Sequence, residues 1–215
     1  MRLEDVRSVY FVGAGGIGMS ALVRYCLANG YHVGGYDKTS SELTEKLIEE
    51  GAKIHYEEDI EAVDACFKQK ESTLVVYTPA IPADHKELVY FRENGFEIQK
   101  RAQLLGTLTQ TRKGLCVAGT HGKTTTSTMT AHLLHQSHVD CNAFLGGISK
   151  NYGTNYILSD SDYVVVEADE FDSENGFGKF YDDEKYEDGI AEDKLSELQV
   201  GYVPYTRDAE GKLVF

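Results

Sequence analysis

Two short stretches of this 215-residue chain place glycine, hydroxyl and lysine groups in an order that suits phosphate chemistry. The later one, Gly119-Thr120-His121-Gly122-Lys123-Thr124-Thr125-Thr126, follows an apolar run and opens a helical pattern. Backbone amides of such a loop can surround phosphate oxygens while the Lys123 ammonium reaches the β and γ groups. Thr124 or Thr125 then offers a hydroxyl to the Mg2+ ion that neutralises the same charge. The spacing departs from G-x-x-x-x-G-K-[ST], because Val117 stands where the first glycine would be. That departure points away from the common GTPases and toward a shorter loop. Glu167, at the end of the apolar run Tyr163 to Val166, supplies a second metal ligand, with Asp169 and Glu170 as near alternatives. Alone, such a carboxylate would be an ordinary solvated strand end; the lysine loop upstream gives it an ion to hold. His121 inside the loop is read as a loop-shaping residue or a phosphate contact and not as an acid or base.

The earlier stretch, Gly13-Ala14-Gly15-Gly16-Ile17-Gly18, fits G-x-G-x-x-G between a β-rich run and a helical one, the context that gives this weak pattern meaning. Glycines at 13 and 15 permit a tight turn and close approach to a diphosphate, and Gly18 lets the helix pack near the strand. The helix N-terminus offers amides to the anion. Asp37, ending the next strand, is placed to accept hydrogen bonds from ribose or sugar hydroxyls. By themselves these residues suit a nicotinamide cofactor as well as a UDP-sugar.

The elements that must carry both loops read as alternating strands and helices. Strands are expected at Ser8 to Val12, His32 to Tyr36, Thr73 to Tyr77, Leu115 to Ala118 and Tyr163 to Val166, and helices at 17–28, 41–50, 101–111 and 123–136. This alternation predicts parallel sheets with right-handed crossovers. The fold class is therefore α/β: a Rossmann-like parallel-sheet domain over 1–112, then a P-loop-type α/β unit over 113–172. Residues 173–215 hold 11 acidic and 5 basic side chains and no long apolar period, an acidic tail in which Gly201 to Tyr205 and Lys212 to Phe215 could pair as a hairpin.

Composition narrows the classes. With 41% apolar residues the chain can bury a core, and no apolar run approaches the roughly 18 residues of a membrane span. The first residues lack the layout of a secretory signal, so a soluble cytoplasmic protein is expected. Cys26, Cys66, Cys116 and Cys141 show no C-x-x-C spacing and are read as reduced thiols. A net charge of −14 argues against a nucleic-acid partner, whereas a small phosphorylated ligand needs only a few aimed groups. The histidines at 32, 55, 85, 132, 135 and 138 form no metal set.

Taken together, GAGGIGMSAL at 13–22, YTPAIP at 77–82, GTHGKTTT at 119–126 and EADEFD at 167–172 resemble the Mur ligases. Within that family the match is to the members that add L-alanine to UDP-N-acetylmuramate; those that recycle murein tripeptide share the last two motifs and come second. The resemblance implies ATP-dependent amide-bond synthesis with Mg2+, in which the muramate carboxylate is phosphorylated and the amine of L-alanine displaces phosphate. It implies that Gly13, Ala14, Gly15, Gly16, Ile17, Gly18, Met19, Ser20, Asp37, Thr78, Pro79, Ala80 and Ile81 surround the UDP-sugar. It further implies that Gly119 to Thr125 hold ATP, that Lys123 and Glu167 act in catalysis, and that Thr124 and Glu167 hold Mg2+. A nicotinamide oxidoreductase would leave the lysine loop without a use.

In the family the acidic motif is followed by more of the central sheet, including a metal-binding histidine, and by a third domain. Here no histidine follows position 138, and 173–215 matches no family part. The expectation is a truncated or fused product that binds UDP-sugar and ligates poorly by itself, with an incomplete sheet that could self-associate.

Overall fold

The computed structural model describes residues 5–119, 121–167, 206–207 and 213–214. The first sheet is β1 (Ser8–Val12), β2 (His32–Tyr36), β3 (Lys53–His55), β4 (Thr73–Tyr77) and β5 (Glu97–Lys100), in the order β3-β2-β1-β4-β5. All its pairings are parallel. Helices α1 (Ile17–Ala28), α2 (Glu42–Glu49), α3 (Lys86–Glu93) and α4 (Arg101–Thr111) alternate with these strands.

Strand β1 is buried at all five positions, as a central parallel strand covered on both faces must be. Its side chains alternate. Val9 and Phe11 join Leu74 and Val76 against α1 and α4, whereas Tyr10 and Val12 join Val75 against Phe67 and Phe91. Each fully buried side chain of this size contributes about 1.5–3 kcal/mol.

After α4 the chain passes through Arg112 into a second sheet, β6 (Lys113–Val117), β7 (Asn142–Phe144), β8 (Tyr156–Ile157) and β9 (Tyr163–Glu167), in the order β6-β9-β7-β8. Helix α5 (Lys123–Gln136) follows β6. Strand β9 lies parallel to both β6 and β7, and β8 is antiparallel to β7. Val165 faces Ala131 of α5, while Val164, Val166 and Phe144 turn the other way into the core shared with α1 and α4. The two sheets thus meet through one apolar layer, where Tyr25 meets Phe144 edge-on at 5.6 Å.

The α/β class and the strand-loop-helix order expected from the sequence are present. Helix α2 is shorter by one residue at each end than expected, because Ser41 caps it by accepting from the Thr44 amide and Glu50 ends it. The sequence pattern did not reveal β3, α3, β5, β7 or β8; the strands among them are two to four residues long, too short to show a period. In the tail, β10 (Thr206–Arg207) pairs with β11 (Leu213–Val214). The later strand lies within the expected one; its partner begins at Thr206, and the expected 201–205 lies outside the described residues.

Candidate active site

The order β3-β2-β1-β4-β5 reverses direction between β1 and β4, and crevices at such switch points, outside the strand C-terminal ends, take ligands in open α/β sheets. The two loops nearest this crevice are 13–18, which follows β1, and 78–81, which follows β4. They are pressed together. Gly13 has φ +91°, and a Cβ there would lie 2.6 Å from Thr78 Cγ2 and 3.4 Å from Ile81 Cγ1. Pro79 and Ala80 are exposed at the turn, which the Ile81 amide closes by donating to Thr78 O (3.0 Å).

The amides of this loop are divided between fold and solvent. Those of Gly13 and Ala14 donate to Tyr36 O (2.8 and 3.0 Å), and that of Gly15 donates to Asp37 Oδ2 (2.6 Å). Asp37 Oδ1 accepts from the Thr39 amide (3.3 Å). Asp37 therefore braces the loop, a role that its strand-end position did not disclose; a carboxylate retains further acceptor positions. The Ser20 amide is the first to enter the helical ladder, on Gly16 O (2.8 Å), so the amides of Ile17, Gly18 and Met19 form the open N-terminus of α1. Gly16 and Ile17 are exposed beside it, and Met19 and Ser20 are buried. Arg101, at the start of α4, brings a cation there: its Nη1 lies 2.8 Å from where a Gly18 Cβ would be. Sequence reading took Arg101 only as a helix start, because the strand β5 before it was not legible.

At the second loop, Gly122 (φ +77°) caps α5 and Lys123 is its first residue. Gly119, His121, Gly122 and Lys123 lie on the loop with Thr124 and Thr125 exposed on the first turn; Thr120, Asp169 and Glu170 lie outside the described residues. The β6–β9 register sets Val117 beside Glu167, and this brings the carboxylate to Thr124 at the start of α5 across 43 residues. Thr124 Oγ1 donates to Glu167 Oε2 (3.1 Å), while Ser127 Oγ (2.9 Å) and the Gly146 amide (2.7 Å) both donate to Oε1. Ser127 is fully buried. The sequence reading missed Ser127 and Gly146. A Gly146 side chain would collide with the Glu167 carboxylate, and a Gly147 Cβ would lie 3.3 Å from Thr124 Cγ2, so the 146–147 segment closes over the pair.

Mg2+ fits this donor set. Octahedral ligands at about 2.1 Å stand about 3 Å apart at adjacent positions, close to the 3.1 Å between Thr124 Oγ1 and Glu167 Oε2. Among the described residues no three His, Cys, Asp or Glu side chains are grouped so as to hold a metal ion by themselves. One hydroxyl and one carboxylate, completed by water and phosphate oxygens, is the usual protein share for Mg2+.

Behind the first crevice lies a buried polar cluster. Tyr10 donates to Glu87 Oε2 (2.7 Å), and its hydroxyl lies 2.7 Å from His55 Nε2. Burial holds the Glu87 carboxyl up at about 7, with the Glu58 charge pushing the same way and the Tyr10 hydrogen bond opposing. Burial also depresses His55 and His85, the latter packed on Tyr36 at 4.5 Å between ring centres. His132 and His135 face Tyr152 Oη and Asp140 Oδ1, each at 2.7 Å. All four cysteines are free, and burial pushes Cys26 up to about 12.

Residues 8–113 match the model of the Mur ligase family, catalytic domain. The chain is 73% identical over 173 residues to the UDP-N-acetylmuramate–L-alanine ligase of Phocaeicola vulgatus, a match covering 80% of this chain and 38% of that protein. Among solved structures, the UDP-N-acetylmuramate-alanine ligase of Thermotoga maritima superposes with a TM-score of 0.65 at 34% identity, covering 76% of this chain and 37% of that one. The UDP-N-acetylmuramate:L-alanyl-γ-D-glutamyl-meso-diaminopimelate ligase of Neisseria meningitides superposes with 0.66 at 25% identity, covering 78% and 54%. The chain thus spans about two-fifths of the length of the alanine-adding relatives it matches.

Proposed function

The chain belongs to the Mur ligase family, and from that membership we propose that it carries the sugar-nucleotide site and phosphate loop of a ligase joining L-alanine to UDP-N-acetylmuramate with ATP. The observation that carries this reading is the Thr124–Glu167 pair, held 3.1 Å apart beside the Lys123 loop. A nicotinamide enzyme has no use for such a pair. Identity favours the alanine-adding branch, at 34% against 25% for the tripeptide ligase structure.

In this reading the diphosphate of UDP-N-acetylmuramate lies on the amides of Ile17 to Met19, with Arg101 adding positive charge and Thr78 to Ile81 forming the opposite wall. Lys123 and the amides of Gly119 to Thr125 hold the ATP phosphates, and Thr124 and Glu167 hold Mg2+. The ion, when bound, supplies Lewis-acid stabilisation of charge on the phosphoryl oxygens. The chain's own contribution is placement: Ser127 and Gly146 keep the Glu167 carboxylate turned toward the loop. Because ATP is a cytoplasmic substrate the reading puts the protein in the cytoplasm, and no helix of the described residues is long and apolar enough to cross a membrane.

The test is calorimetry of the chain with UDP-N-acetylmuramate and with Mg-ATP, followed by phosphate release on adding L-alanine. Binding of both ligands with turnover is the outcome expected of a working ligase half. Sugar-nucleotide binding without turnover marks a substrate-binding fragment, and binding of neither ligand refutes the reading.

A further inference from the structure

Asn155 lies in neither loop, yet its hydrogen bonds connect the start of α1 to the segment that holds Glu167. Its Nδ2 donates to the carbonyl of Ile17 (3.0 Å), the first residue of α1 after the glycine loop. Its own carbonyl accepts from the Leu145 amide (2.8 Å), and the next amide, that of Gly146, is the one on Glu167 Oε1 (2.7 Å). Only 6% of Asn155 is exposed, so water competes little for these bonds. The surroundings are stiff as well. The Arg24 guanidinium of α1 lies over the ring of the neighbouring Tyr156 (5.1 Å), and Phe144, just before Leu145, sits in the core shared with α1. A closely packed contact of this kind transmits displacement instead of absorbing it.

We propose that Asn155 couples the two ligand loops, so that a sugar nucleotide on the first and a Mg-nucleotide on the second bind with positive linkage. An anion on the amides of Ile17 to Met19 orders the first turn of α1 and with it the Ile17 carbonyl. Asn155 passes that order to Leu145 and Gly146, and the Gly146 amide fixes Glu167 for the metal. Linkage makes the effect reciprocal. Asn155 is a positioning residue, and the proposal rests on the ligase reading above.

The test titrates UDP-N-acetylmuramate into the full 215-residue chain, with and without Mg2+ and a non-hydrolysable ATP analogue, for the wild type, Asn155→Ala and Asn155→Asp. Asn155→Asp keeps the shape and sets an acceptor against the Ile17 carbonyl. In the wild type the nucleotide tightens sugar-nucleotide binding at least about fivefold; in both variants the ratio falls below about twofold while each ligand alone binds nearly as before. Variants that keep the wild-type ratio overturn the proposal. So does a wild type without linkage, although sugar-nucleotide binding would then leave the ligase reading standing; a chain that binds neither ligand removes both. A measurement independent of variant folding is amide exchange in the wild type. UDP-N-acetylmuramate alone slows exchange at Leu145 and Gly146, and unchanged exchange there overturns the coupling.

Discussion

The Gly146 amide donates to Glu167 Oε1 at 2.7 Å across 21 residues of chain, and the same glycine leaves no room for a side chain because its Cβ would enter the carboxylate. One position therefore both aims the Glu167 carboxylate, the proposed metal ligand, and limits what can stand beside it.

Gly146→Ala is expected to push Glu167 off Thr124 and Ser127. Mg-ATP affinity should fall at least about tenfold, the scale of losing a support of a metal ligand. UDP-N-acetylmuramate affinity measured alone should stay within about threefold, since ordinary effects away from a site are below about 0.5 kcal/mol. Calorimetry with each ligand separately decides this, and equal losses for both would show general damage instead.

Gly13→Ala meets two obstacles, the φ of +91° and the Thr78 methyl 2.6 Å from the new Cβ. A destabilisation of about 2–4 kcal/mol is expected from backbone strain plus overpacking. Urea unfolding should show the midpoint shift, and refolded protein should no longer retain UDP-N-acetylmuramate.

Arg101→Met keeps the length of the side chain beside Gly18 and removes its charge. Affinity for UDP should drop about tenfold, the scale of one charge-assisted contact, while uridine, which lacks phosphate, should bind unchanged. Equal losses for the two ligands would place Arg101 outside the diphosphate site.

Glu87 predicts a pH dependence of stability. Its carboxyl is fully buried and titrates at about 7 in the fold against an ordinary value of 4.5. A raised carboxyl contributes stability that is fully present below 4.5 and is lost as pH rises through about 7. His55 and His85, both depressed, work in the opposite sense: their neutral folded forms cost stability as pH falls below 6.5. Comparison with Glu87→Gln isolates the acid. Between pH 7 and 4.5 the wild type should gain up to about 3 kcal/mol relative to the variant, at about 1.4 kcal/mol per tenfold change in proton affinity. Parallel stability curves for the two proteins would mean that Glu87 does not hold its proton.

The sequence by itself determined the local units: two strand-loop-helix turns, their glycines, the lysine, and the α/β class. These depend on backbone conformations and periodicities within about a dozen residues, and such signals survive without tertiary context. It also singled out Glu167, with Asp169 and Glu170 kept as near alternatives because neighbouring acidic positions at a strand end look alike in sequence. Tertiary structure decided the rest. The β6–β9 register brings Glu167 to Thr124, the β1–β4 switch point joins Gly13 to Thr78, and packing of the second sheet on α1 brings Asn155 to Ile17 across 138 residues. Ser127, Gly146, Arg101 and Asn155 carry no local mark, since a hydrogen bond between distant segments is set by how sheets register and pack, and spacing along one segment does not encode it.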